Sequence, residues 1–304
     1  MNQFIQRYER LGETFDPESI ELRKSFRINT LKISSDALLK RLHDKGVITE
    51  KIPYLQQGYY FESEFPLAST EEYLLGYIYL QESASQLPSE VLLEGINIAT
   101  LPENTKVLDM CAAPGSKTTQ LAQLLNDKIF IFALDDVAPR LEKIKDNADR
   151  LGIGSILTFR KDGRYIDDLN IKFKFILLDA PCSGNFCVES NFFQERSVLL
   201  GVKERSRLQK DLLKSAWRAL LPGGILVYST CSLEPEEDEL LIDWFLGEKE
   251  NAKLLPINIA IGDAGYTTVF DKELRKDVSL TKRFWPHKTQ TEGFFIAKLQ
   301  KLKE

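Results

Sequence analysis

Two cysteines stand where they could run covalent chemistry on a ring. Asp179-Ala180-Pro181-Cys182-Ser183-Gly184 follows one apolar stretch, and Tyr228-Ser229-Thr230-Cys231-Ser232 follows another. The thiolate is a potent nucleophile near neutral pH, so a thiol pair beside a carboxyl suits addition to an electron-poor ring followed by elimination. Cytosine is such a ring: its C5 becomes nucleophilic only after a thiolate adds to C6, and the addition calls for an acid near N3. Cys231 and Cys182 are therefore candidate catalytic residues, with Asp179 placed to act at N3. Lys117 is the candidate cation favouring a thiolate at Cys231, on condition that the fold brings the two together. Taken singly, each cysteine reads as a buried apolar residue.

A second constellation has the chemistry of a nucleoside site. Asp109-Met110-Cys111-Ala112-Ala113-Pro114-Gly115-Ser116-Lys117-Thr118 runs from a strand into a helix, and its small residues allow a ligand close to the backbone. A phosphate loop would need glycine in place of Cys111 and Ser116, and Gly115 alone does not make the dinucleotide fingerprint. A nucleoside cofactor without a pyrophosphate fits better. Asp135, Asp162 and Asp179 close three later strands, and a carboxylate at the second strand end can accept both ribose hydroxyls while one at the third reaches an adenine amino group. Any one Asp there reads as a turn residue; three in succession point to a ligand.

These side chains need a scaffold that brings strand ends together. From about residue 105 onward, short apolar strands predicted over 106–110, 129–135, 156–160, 173–179, 224–230 and 293–299 alternate with helices over 117–125, 139–151, 203–221 and 236–245. That alternation predicts an α/β fold with a mostly parallel sheet, helices on both faces and ligands at the carboxyl ends of the strands. Ahead of it, 26–31 alternates like a strand, 35–45 has helical spacing and 52–61 suggests further strand pairing, predicting a small α/β lobe. We expect an amino-terminal lobe over 1–75, a mainly helical connector over 76–104 that begins its helical pattern near Thr70, and a catalytic domain over 105–304.

The bulk composition agrees with a globular chain of 304 residues with 43% hydrophobic content. No apolar run is long enough to span a membrane and no leader is visible, so the expectation is a soluble, cytoplasmic protein. Cys111, Cys182, Cys187 and Cys231 form no Cys-x-x-Cys pair, and only His43 and His287 could join them, so no metal site is expected. The net charge of −5 argues mildly against nucleic acid, but between 234 and 250 eight acidic residues face the single Lys249. The rest of the chain is slightly basic, with clusters at 203–218 and 272–303.

On these motifs the chain resembles the Nol/Nop/Sun family of RNA cytosine-5 methyltransferases. The matching blocks are Cys111 to Lys117, Asp179-Ala-Pro-Cys182-Ser-Gly and Ser229-Thr-Cys231-Ser. Further matches are Phe26-Arg27-Ile28-Asn29-Thr30-Leu31-Lys32, Tyr79-Leu80-Gln81-Glu82, Arg283-Phe284-Trp285-Pro286-His287 and Gly293-Phe294-Phe295. The resemblance implies a seven-stranded, Rossmann-like methyltransferase sheet, an RNA-binding amino-terminal lobe, and S-adenosylmethionine as cofactor. It implies cofactor contacts from Cys111, Ala112, Ala113, Pro114, Gly115, Ser116, Lys117, Asp135, Arg140, Asp162 and Asp179. It assigns attack on C6 to Cys231 and release of the enzyme to Cys182. Compact chains of this kind resemble archaeal-type tRNA enzymes, and rRNA enzymes share every catalytic motif. After Gly184 the family's glycine- and arginine-bearing loop is replaced by Asn185-Phe186-Cys187-Val188-Glu189. Two rival readings are a nucleophile at Cys182, as in DNA cytosine-5 methyltransferases, and a scaffold that binds RNA without catalysis.

Overall fold

The computed structural model describes residues 3–184 and 199–303, so the segment containing Cys187 lies outside the described residues. The chain runs α1 (Gln3–Arg10), β1 (Ser25–Ile28), α2 (Ser35–Asp44), β2 (Ile48–Lys51), β3 (Gly58–Glu62), α3 (Glu71–Leu74), β4 (Ile78–Leu80) and α4 (Leu87–Leu93). It continues with β5 (Val107–Asp109), α5 (Ser116–Leu124), β6 (Ile131–Asp135), α6 (Ala138–Leu151), β7 (Ile156–Arg160), β8 (Phe173–Asp179), α7 (Leu199–Ala219), β9 (Leu220–Thr230) and α8 (Glu239–Glu248). The end of the chain adds β10 (Ala252–Leu255), β11 (Asp263–Ala264), β12 (Thr268–Val269), β13 (Lys272–Glu273), β14 (Lys282–Phe284), α9 (Pro286–Thr289) and β15 (Phe294–Lys301).

The large sheet has the order β11-β14-β15-β9-β8-β5-β6-β7, with β10 added on β15. Strands β9, β8, β5, β6 and β7 run parallel, β15 runs antiparallel to β9, and β14, antiparallel to β15, returns to the common direction. Six of the seven strands from β14 to β7 are those expected from the alternation and β14 supplies the seventh that the resemblance implied; β10 and β11 are short additions at one side. Strands β5, β6 and β8 are apolar along almost their whole length because helices cover both faces, giving two cores. Register then does the positioning: Asp109 pairs with Leu177, and Asp179 with Ser229, so the carboxylates end neighbouring strands at one edge. Helix α6 starts with Pro139 in its first turn and stops at Gly152 with φ of 69°, the two punctuation residues that fix its ends.

The amino-terminal sheet has the order β2-β3-β1-β4 and is antiparallel throughout. Strand β4 corrects the expectation of a helix there: 78–80 pairs with β1, and only α3 and α4 on either side are helical. The alternation was hidden because Tyr79 is buried against the other lobe while Ile78 fills its own core. The two lobes share buried polar contacts. Arg27 on β1 donates to the Thr119 hydroxyl at 3.0 Å, to the Ser116 carbonyl and to Gln123, all on α5. Asn29 donates to the Gly76 and Leu151 carbonyls, both at 2.9 Å. Helix α1 does not sit on the small sheet at all: Phe4 and Tyr8 pack on Leu233 and Trp285 of the catalytic domain.

Candidate active site

The turn after β5 is held by its neighbours in the sheet. Met110 N–H donates to Leu177 O at 3.0 Å and Ala112 N–H to Leu134 O at 2.8 Å. Gly115, at φ of 102°, opens α5, and a Cβ there would come to 3.3 Å from the backbone of Ile144. Glycine is thus required twice, for the left-handed backbone and for the close approach of α6. Asp109 is buried and accepts the Thr118 hydroxyl at 2.7 Å; burial pushes its carboxyl up to about 7, against the pull of that hydrogen bond.

A crevice of about 510 Å³ opens along the strand ends. Cys111, Ala113, Asp135, Arg140, Asp162, Asp179, Cys182 and Cys231, all expected from sequence, line it. Ala112, Pro114, Gly115, Ser116 and Lys117 lie behind that wall. Ala112 is buried, Pro114 is exposed with its carbonyl on Asn147, and the Ser116 carbonyl accepts from Arg27. The structure adds Met110, Lys161, Gly163, Arg164, Leu208 and Leu212 to the lining. Leu208 and Leu212 belong to the inner face of α7, where an apolar repeat reads only as core.

Asp135 is buried, and its Oδ1 accepts the Val137 N–H at 3.0 Å, which fixes the carboxylate. Its Oδ2 has Arg140 at 3.4 Å, and Arg140 also donates to Ala113 O at 3.3 Å. Asp162 caps the short helix that follows β7 and is gripped by Arg164 at 2.6 Å, which holds its carboxyl below the usual range. A buried carboxylate pre-oriented on a crevice wall, small residues on the facing turn and apolar side chains from α7 form a donor set that fits a nucleoside with ribose hydroxyls.

The reactive groups sit at the other end of the crevice. Cys182 and Cys231 are both half-buried, and their sulfurs are 3.1 Å apart, within hydrogen-bond reach. The hydrogen bond with Cys231, added to burial, holds the Cys182 thiol well above its ordinary value. Lys117 lies under Asp179 and donates to it at 2.7 Å and to Ser85 at 3.1 Å. Burial draws the Lys117 ammonium down, but the charge and hydrogen bond of Asp179 outweigh that and leave it above the ordinary lysine value, with Cys231 adding in the same direction. Asp179 accepts through both oxygens, from Lys117 and from Ser229 at 2.7 Å.

The acidic stretch after Cys231 is not a solvated face. Glu234, Glu237, Asp238 and Glu239 are fully buried. Arg283, itself fully buried, donates to Asp238 at 3.1 Å and Glu239 at 2.5 Å, and Arg7 and Tyr8 of α1 reach Glu234 at 3.0 and 2.8 Å. The basic cluster at 272–303 is likewise largely spent inside the protein: Lys272 and Arg275 on Asp243, Lys288 on Glu13 and Asp263, Lys298 on Glu94. On α7, Lys203, Arg205 and Arg207 are exposed and form no ion pair among the described residues. Among the described residues no group of His, Cys, Asp or Glu is arranged to hold a metal, and no helix is long and apolar enough to cross a membrane.

Comparison with known proteins matches residues 97–300 to the family model described as 16S rRNA methyltransferase RsmB/F, and residues 2–83 to the N-terminal domain of 16S rRNA methyltransferase RsmF. Ribosomal RNA small subunit methyltransferase F of Vibrio vulnificus is 37% identical over 92% of this chain and 58% of its own length. The chain spans about half the length of the curated relatives it matches. A methyltransferase homolog from Pyrococcus horikoshii is 37% identical with a TM-score of 0.82, covering 98% of this chain and 90% of its own. NSun6 from the same organism, solved with SFG, is 28% identical with a TM-score of 0.80, covering 98% and 94%.

Proposed function

Because the chain belongs to the 16S rRNA methyltransferase RsmB/F family, we propose that it methylates C5 of cytosine in RNA through a covalent adduct at C6. The observation that carries this reading is the pair of sulfurs 3.1 Å apart at the end of a crevice walled by Asp135, Asp162 and the turn at Cys111. Binding alone requires neither thiol, which counts against a scaffold. The cofactor side of the crevice is assigned to S-adenosylmethionine: Asp135 takes the ribose, Asp162 reaches the adenine, and Cys111, Ala113 and Arg140 border it. Its sulfonium, when bound, supplies the methyl group.

Cys231 is the nucleophile. Lys117 favours its thiolate, and Cys182, held as a thiol, can donate its S–H to that thiolate across the 3.1 Å gap. As the Cys231 sulfur bonds to C6, Asp179 meets the charge building at N3. To donate a proton there Asp179 must enter the reaction as the acid, while Lys117 at 2.7 Å keeps its own proton as the cation beside Cys231. The C5 proton then passes to solvent, N3 returns its proton to Asp179, and the C6–sulfur bond breaks as the Cys182 S–H donates to the departing Cys231 thiolate. The target base must leave its stack to reach this depth. Phosphates are held by Lys203, Arg205 and Arg207 of α7 beside the crevice, with further contacts from the amino-terminal lobe. We place this work in the cytoplasm. We take tRNA as the first substrate to test, on the resemblance to archaeal-type tRNA enzymes, with rRNA as the alternative, for which the curated relatives are named.

Labelled S-adenosylmethionine with bulk tRNA and bulk rRNA in parallel separates the substrates. With the labelled fraction, Cys231→Ala should give neither product nor adduct, and Cys182→Ala should accumulate a protein–RNA species stable to denaturing electrophoresis. The swapped pattern would move the nucleophile to Cys182, and activity surviving both changes would end the cysteine mechanism.

A further inference from the structure

Glu237 has none of the roles assigned above, yet its carboxylate is the polar centre of the loops that carry both cysteines. Its side chain is fully buried. Oε1 accepts the Ser183 N–H at 2.9 Å and the Gln209 amide at 3.0 Å. Oε2 accepts the hydroxyls of Ser183 and Ser232, both at 2.5 Å. Ser183 is the residue after Cys182, and Ser232 is the residue after Cys231. Gln209 comes from α7 and also donates to the carbonyl of Pro181, the residue before Cys182, at 3.0 Å. The two serine oxygens are 3.1 Å apart, the same separation as the sulfurs beside them.

An ionised carboxylate only accepts, and about four donors use its full capacity. Glu237 meets four donors from three segments, so one anion fixes both cysteine loops to each other and to α7. Burial leaves its carboxyl above the ordinary glutamate value against the pull of these donors. A glutamine of the same shape can keep the Ser183 N–H and the Gln209 amide on its oxygen, but its NH2 then turns the two serine hydroxyls into acceptors, and the bonds assisted by the anion's charge are lost.

We propose that Glu237 is a positioning residue that sets Cys182 against Cys231, and so controls the release step more than the addition step. The inference rests on the two-cysteine mechanism above. Addition depends on Cys231, Lys117 and Asp179, none of which touches Glu237 through a hydrogen bond in the structure, whereas Cys182 is flanked on both sides by groups that the clamp holds.

The test is Glu237→Gln in the full chain, followed through a single turnover on the RNA fraction that the parent labels, beside Cys182→Ala. First-turnover methyl transfer should stay within about threefold of the parent while adduct breakdown slows by about tenfold or more, with cofactor affinity within about threefold by calorimetry. The double change Ser183→Ala with Ser232→Ala, which keeps the anion and removes two donors, should show the same split at smaller amplitude and decides the matter if Glu237→Gln does not fold. A parallel fall in transfer, release and cofactor affinity would mark Glu237 as merely structural and overturn the proposal, as would normal release. If Cys182→Ala traps adduct and the clamp variants do not, the inference fails alone. If Cys182→Ala traps none, the two-cysteine mechanism fails and takes the inference with it.

Discussion

Replacing Asp109 by Asn should change how stability depends on pH. Asp109 is 1% exposed at the end of β5, and burial lifts its carboxyl to about 7, well above the ordinary aspartate value. For a group whose folded value is raised, the folded state holds the proton longer, so its stabilising contribution is full below the unfolded value and is lost as pH rises through the folded one. Between pH 4.5 and 8.5 that loss integrates to about 3 kcal/mol for a shift of this size. Asparagine keeps the shape and an oxygen for Thr118 but never ionises. Urea denaturation of parent and Asp109→Asn at several pH values should therefore show curves that diverge, with the variant gaining about 3 kcal/mol relative to the parent from pH 4.5 to 8.5. Parallel curves would show that Asp109 ionises as readily in the folded chain as in the unfolded one, and would refute the reasoning.

Asp135→Ala should weaken S-adenosylmethionine binding by roughly 150-fold or more, the worth of about two hydrogen bonds to a charged acceptor, with calorimetry as the measurement and an unchanged affinity as the contrary result. RNA affinity should fall steeply with salt, and Lys203→Ala, Arg205→Ala and Arg207→Ala should each lower the log-log slope by about one, whereas Lys288→Ala, already paired with Glu13 and Asp263, should leave the slope unchanged.

The strand ends were readable because each is local: an apolar run stops, and Asp109, Asp135, Asp179 or Cys231 follows it. Parallel pairing then had to bring those ends to one side, and the register did. Burial of charge was not readable. Glu234, Asp238 and Glu239 look like solvent-facing acids until Arg7 from one end of the chain and Arg283 from the other are placed beside them. Glu237 was hidden for a related reason, since its partners are two serines, an amide and a backbone N–H, none of which announces a carboxylate in sequence. Strand β4 was lost because its alternation spans only three residues between helical stretches.

Helix α1 has a consequence for the order in which the molecule can form. Phe4 and Tyr8 have their apolar partners at Leu233 and Trp285, and Arg7 has its carboxylates at Glu234 and Glu236. A chain growing from the ribosome makes this helix well before its binding surface. Until Trp285 has emerged, α1 has nowhere to dock, and its two aromatic rings stay in water while the small sheet and most of the large one assemble without it. The reactive loop that begins at Cys231 therefore gains its outer support only after Trp285 has emerged, so residues made early take their place late.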